Sequence, residues 1–126
     1  GSKSSPLMPT IAARSAEGLD LRFDTEHEEF FDRSDQAVFY YAGIPVLFLN
    51  TDEHIDYHTP NDTWSNIEYH SLEQITLMAR RAAGMLADLR ERPAFVDGYS
   101  RLTPLFGRPP QLLVPWPVPF HERLDY

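Results

Sequence analysis

Apolar and polar positions divide the chain into segments of different period. Residues 6–17 carry Leu7, Met8, Ile11 and Ala12 at helical spacing, and Gly18 offers a stop. Leu19-Asp20-Leu21-Arg22-Phe23-Asp24 alternates apolar and polar, which predicts a half-buried strand. The acidic stretch Glu26 to Asp32 reads as a loop. Ser34-Asp35 is placed to cap a short helix through Ala37, Val38, Tyr40 and Tyr41, ended by Gly43. Asp35 is accordingly read as a helix cap and not as a catalytic group.

Ile44-Pro45-Val46-Leu47-Phe48-Leu49 is a continuous apolar run, short and β-branched at two positions, which predicts a buried strand of a sheet covered on both faces. Polar residues then dominate from Asn50 to Asn66. The longest predicted helix covers Leu72 to Arg92, with Ser71 and Gln74 in a capping box. Its apolar stripe is Leu72, Ile75, Ala79, Ala82, Leu86 and Leu89. Arg90 and Arg92 suit the negative carboxyl end of its dipole, and Pro93 stops it. Beyond Pro93, prolines at 104, 109, 110, 115, 117 and 119 predict an extended tail packed on a body or a partner. Trp116, with prolines on either side, is read as part of that packed tail.

These segments make an α/β chain of 126 residues, enough for one small domain. Three divisions are expected: residues 1–2 as the remnant of a tag, 3–92 as the domain, and 93–126 as the Pro-rich tail. The formal charge of −8 disfavours nucleic acid, whose phosphates call for a basic surface. There is no cysteine, so a disulfide framework and a thiolate metal site are excluded. No stretch approaches the roughly 20 apolar residues of a membrane helix.

Chemistry concentrates in Asp56-Tyr57-His58-Thr59-Pro60-Asn61-Asp62-Thr63-Trp64, at the carboxyl end of the predicted strand, where open α/β sheets bind ligands. A histidine there can ligate a metal through one ring nitrogen while a carboxylate holds the other. Asp56 and Asp62 are the candidates for that acceptor. Pro60 holds Thr59 extended and stiffens the segment. His54 and His58 stand four apart, the spacing of a helical zinc pair, but Pro60 and the polar run argue against a helix there. His27, His70 and His121 read as surface residues.

The order Ser34-Asp35-Gln36-Ala37-Val38-Phe39, Gly43-Ile44-Pro45-Val46-Leu47-Phe48, then Asp56-Tyr57-His58-Thr59-Pro60-Asn61-Asp62 resembles the closing third of the M28 family of zinc aminopeptidases, whose relatives include the glutaminyl cyclases. The match is closest from Arg33 to Tyr69 and looser from residue 6 to 92. This resemblance implies a fragment of a larger mixed sheet with flanking helices, a partial three-layer sandwich. It implies that His58 is the last zinc ligand and that the Tyr57 hydroxyl steadies the tetrahedral intermediate. It also implies peptide substrates and two zinc ions in a complete domain.

The family's remaining parts are a histidine and a bridging aspartate, a catalytic Glu beside a ligand Glu, and a further acidic ligand. None is recognisable in this chain, so the fragment is expected to be inactive alone and to self-associate or pair with the missing part. Glu28-Glu29 is a carboxylate pair by composition only, in the wrong place in the order. Gln36 stands where the family usually has His. The alternative is a non-catalytic binding module on the same fold.

Overall fold

The computed structural model describes residues 2–25 and 30–98. In them the chain forms α1 (Met8–Ala16), α2 (Gln36–Tyr41), a 3₁₀ turn (Trp64–Asn66) and α3 (Tyr69–Ala87). No strand occurs among the described residues, which corrects the α/β expectation and its three-layer sandwich. No helix of the described residues is long and apolar enough to cross a membrane.

α1 begins where Ser5 accepts the Leu7 amide on its hydroxyl (3.3 Å) and the Met8 amide on its carbonyl (3.2 Å). Pro lies within its first turn, where amides have no helical partner to lose. Met8, Ile11, Ala12 and Ser15 are buried, an i, i+3, i+4, i+7 stripe. This stripe packs on α3, whose buried residues are Met78 and Ala82. The Arg81 guanidinium donates to the carbonyls of Ser15 (3.3 Å) and Glu17 (2.8 Å), satisfying groups that α1 leaves open at its end.

α2 ends in a complete Schellman motif. Gly43, at φ 74°, donates to the Tyr40 carbonyl (2.9 Å), and Ile44 donates to that of Phe39 (3.0 Å). The expected Asp35 cap is not made: Asp35 occupies the N-cap position with helical backbone and no side-chain hydrogen bond to the helix. A residue already in helical φ/ψ cannot turn its carboxylate onto the second or third amide.

α3 differs from expectation at both ends. It starts at Tyr69, because the Glu68 carboxylate, not Ser71, accepts the first-turn amide, that of Ser71, at 2.8 Å. Gln74 does not reach back; its carbonyl accepts the Asp20 amide at 3.2 Å. The helix stops at Ala87, ahead of Arg90 and Arg92. The departing chain carries Arg92 to the Gly43 carbonyl (3.5 Å) and Phe95 to Tyr40, contacts that a helix continued to Arg92 would forgo.

A second apolar cluster centres on Phe31, 1% exposed, and Tyr40, 3% exposed, with Tyr41, Val46, Phe48 and Phe95 around them. The Phe31 and Tyr40 rings meet edge to face at 5.1 Å, a geometry that adds about 0.5–1.5 kcal/mol beyond burial itself. The Tyr40 hydroxyl donates to the Asp97 carboxylate. Burial and, secondarily, the charge of Asp32 raise the pKa of the neighbouring Tyr41 hydroxyl.

The run Ile44–Leu49 is half-buried, with Leu49 exposed, and it is not a strand. A ladder needs a second extended backbone alongside. The position beside Val46 is instead taken by the side chain of Ser4, which bonds both Val46 backbone groups. Ser4 in turn accepts the Val96 amide on its own carbonyl at 2.9 Å. Leu19–Asp24 likewise finds no ladder. Leu19 and Leu21 are half-buried and Phe23 is exposed, and the Asp20 amide goes to Gln74 instead of another backbone. The amino-terminal segment also closes on residues 95–98: a Cβ on Gly98 would lie 2.0 Å from the Lys3 carbonyl oxygen, so only glycine fits there.

Candidate functional site

Leaving Phe48, the chain enters the loop that carries Asp56 to Asp62. Its start is fixed by side chains bonding nearby amides. Asn50 Oδ1 accepts from Asp52 N–H and Asp52 Oδ1 from Glu53 N–H, both at 2.8 Å. Asp52 takes a positive φ of 71°, a conformation that Asp tolerates. Glu53 pairs with Arg33 at 2.8 Å, joining the loop to the segment before α2. Both partners are exposed, so the pair orients more than it stabilises.

Two successive turns build the centre. Tyr57 N–H donates to the His54 carbonyl and Thr59 N–H to the Asp56 carbonyl, each at 3.0 Å. The Thr59 hydroxyl donates to the same Asp56 carbonyl (2.8 Å) and accepts the Asn61 amide (3.2 Å). The Asn66 amide donates to the Asn61 carbonyl (2.8 Å) and reaches the Asp56 carboxylate (3.5 Å). Thr59 and Asn66 thus support the loop. A Thr before Pro60-Asn61 is a turn signal visible in the sequence; Asn66 had none.

His58 sits at the second turn with φ 58°, in the left-handed region. For a residue with a Cβ this costs about 1–2 kcal/mol, which the surrounding hydrogen bonds must hold in place. Its ring is exposed and lies 4.0 Å from the Tyr57 ring, centroid to centroid, at 68°. Tyr57 is 47% exposed.

The predicted acceptors serve other partners. Asp62 faces His54, with Oδ1 3.6 Å from Nε2. Asp56 is held toward Asn66. Among the described residues neither carboxylate hydrogen-bonds His58. His54 accepts the Asp56 amide on Nδ1 at 3.2 Å, which directs its Nε2 proton to Asp62. His54 and His58 lie on turns and not on one helix face, as Pro60 predicts.

A zinc site takes about four ligands. Among the described residues no three His, Cys, Asp or Glu side chains converge on one point. His27 and the Glu28-Glu29 pair lie outside the described residues, as do His121 and Trp116. His70 is exposed and faces Asp20 at 3.4 Å. At the position of Gln36, the side-chain amide donates to the Phe31 carbonyl and so ties the start of α2 to the aromatic cluster.

No curated protein and no solved structure matches the chain. A family profile does: Peptidase family M28 matches residues 3–83, a span that takes in α1, α2, the His58 loop and most of α3. The chain belongs to Peptidase family M28.

Proposed function

We propose that this chain is the carboxyl-terminal portion of a zinc-dependent aminopeptidase, in which residues 3–92 belong to the peptidase domain and 93–126 to a tail. His58 supplies one ligand to a metal completed by residues outside this chain. The observation that carries this reading is the left-handed backbone of His58, φ 58°, on a loop locked by its own hydrogen bonds. Strain of that kind persists where a side chain must be held in one direction, and here it presents an exposed imidazole.

Tyr57 precedes it on the same turn with its ring against the imidazole. A hydroxyl at that place can donate to the carbonyl oxygen of a peptide as negative charge develops there. Removing such a donor costs about 10²–10³ in kcat. Membership of Peptidase family M28 supports hydrolysis of a peptide bond as the reaction class.

The test uses the complete domain of the protein that contains this sequence. His58→Ala is expected to lose bound zinc, measured by metal analysis, together with nearly all turnover of a chromogenic amino-acid amide. Tyr57→Phe is expected to keep the zinc and lower kcat about 100-fold with little change in KM. His54→Ala is expected to keep both. Zinc lost with His54→Ala and retained with His58→Ala would overturn the assignment. The 126-residue chain alone is expected to show no turnover with added zinc, and chelator-sensitive turnover would refute that.

A further inference from the structure

The first turn of the loop is closed twice by one residue. Tyr57 N–H donates to the His54 carbonyl (3.0 Å), and Asp56 N–H donates to the His54 ring at Nδ1 (3.2 Å). The first closure joins backbone to backbone and is indifferent to pH. The second needs a lone pair on Nδ1. A neutral imidazole has one donor nitrogen and one acceptor, whereas the imidazolium has two donors and no acceptor. Protonating His54 therefore sets N–H against N–H at Asp56, and the bond is lost.

The opposite edge of the ring gains what this edge gives up. Nε2 lies 3.6 Å from Asp62 Oδ1, too long for a good hydrogen bond from the neutral ring and close enough for an ion pair with the charged one. Both side chains are about half exposed, so this pair gives direction more than stability. The other titratable and charged groups near the ring are Tyr57, whose ring stands edge-on at 6.3 Å, and the chain neighbours Asp52, Glu53 and Asp56. Glu53 is paired with Arg33, and the Asp56 carboxylate is turned to Asn66. Carboxylates ordinarily titrate about two pH units below an imidazole, so they stay charged while a histidine changes state.

What the lost bond releases is short. Upstream, Arg33 holds Glu53. Downstream, the Asp56 carbonyl still accepts both the amide and the hydroxyl of Thr59, which keeps the second turn, with His58, closed. Between them Ile55 is 97% exposed and has no packing to keep it in place.

We infer that His54 is a proton-operated latch on the first turn of this loop. Neutral, it locks the Asp56 amide; charged, it lets go, turns its charge to Asp62 and frees the strap of residues 53–56 beside Tyr57. The inference stands apart from the peptidase reading, since it rests on His54 and not on His58.

NMR of the full 126-residue chain, labelled with ¹⁵N and ¹³C, tests it. The window runs from about pH 8 to about pH 5.5, above the ordinary carboxylate range. Over it the Asp56 amide proton is expected to move upfield with the same midpoint as the His54 ring carbons, losing exchange protection as it does. Above that midpoint the His54 ring nitrogen shifts are expected to show the proton on Nε2. In His54→Gln the Asp56 amide is expected to stay flat across the window. An Asp56 amide that stays flat while His54 titrates in the unchanged chain would overturn the proposal, and so would a neutral His54 with its proton on Nδ1. A step that persists in His54→Gln would assign the titration to another group, such as His58, and would equally overturn it.

Discussion

The Ser4 hydroxyl holds both sides of one residue: it accepts the Val46 amide at 2.8 Å and donates to the Val46 carbonyl at 2.7 Å. Ser4 is fully buried. Its oxygen does for Val46 what a ladder does elsewhere.

Ser4→Ala removes that oxygen and leaves two backbone groups in a partly buried site. An unsatisfied group costs about 1–3 kcal/mol, so a loss of about 2 kcal/mol is expected, read as a lower urea midpoint at unchanged m. An effect of a few tenths would show that water reaches Val46.

Arg81 joins α3 to the end of α1 through two carbonyls. Arg81→Met keeps most of the aliphatic stem and removes both bonds. Charge-assisted hydrogen bonds contribute about 1.5–3 kcal/mol each when well made, and here the partly exposed geometry places the expected loss near 1–2 kcal/mol in total. Hydrogen exchange is expected to rise at Glu17 and Leu19, which close the end of α1.

The Glu68 carboxylate is held below its ordinary pKa, first by the Ser71 backbone amide, then by the Ser71 side chain and the neighbourhood of His70. A depressed folded pKa means that the cap is fully present above the ordinary glutamate range. It is lost as pH falls through the lower, folded value. The Ser71 amide resonance is expected to titrate with a midpoint below that of an unperturbed Glu, and Glu68→Gln to abolish this titration. A midpoint at the ordinary value would contradict the cap.

His58 tests strain against function. His58→Gly relieves the left-handed backbone and is expected to leave the melting temperature at or above the starting one. His58→Val adds β-branching at φ 58° and is expected to lower stability by about 1–2 kcal/mol. Equal stabilities would mean that the turn relaxes when the imidazole is gone.

The helices could be read from the sequence because each buries a stripe with its own period. Met8, Ile11 and Ala12 were visible at that spacing, and Gly18 and Gly43 mark the ends of α1 and α2 with positive φ. The α3 stripe was displaced. Met78 is buried where Ala79 was expected, and Leu72 is exposed. The two expected strands failed for one reason. An apolar run such as Ile44–Leu49 reports burial, whereas a strand also needs a partner, and Ser4 took that place from far along the chain. Caps were decided by competition between near neighbours, Glu68 over Ser71, which composition alone leaves open.

At the site, the sequence singles out the polar loop around His58, and the structure places that loop on successive turns. The pairing of Asp62 with His54 in place of His58 was not legible, because it depends on which way two exposed turns fold. The positive φ of His58 has no sequence signature of its own.

The seam in which Ser4 accepts the Val96 amide, with Gly98 pressed on Lys3, has a consequence for synthesis. Almost the whole described chain lies between those contacts, so they are of the highest contact order the region allows. While the ribosome is still making α3, Ser4 can hold Val46, but Tyr40 lacks Phe95 and Asp97, and the seam is open. Closure waits until Gly98 has cleared the exit tunnel. Until then the aromatic cluster lacks its Phe95 contact, and incompletely covered apolar surface of this kind favours aggregation.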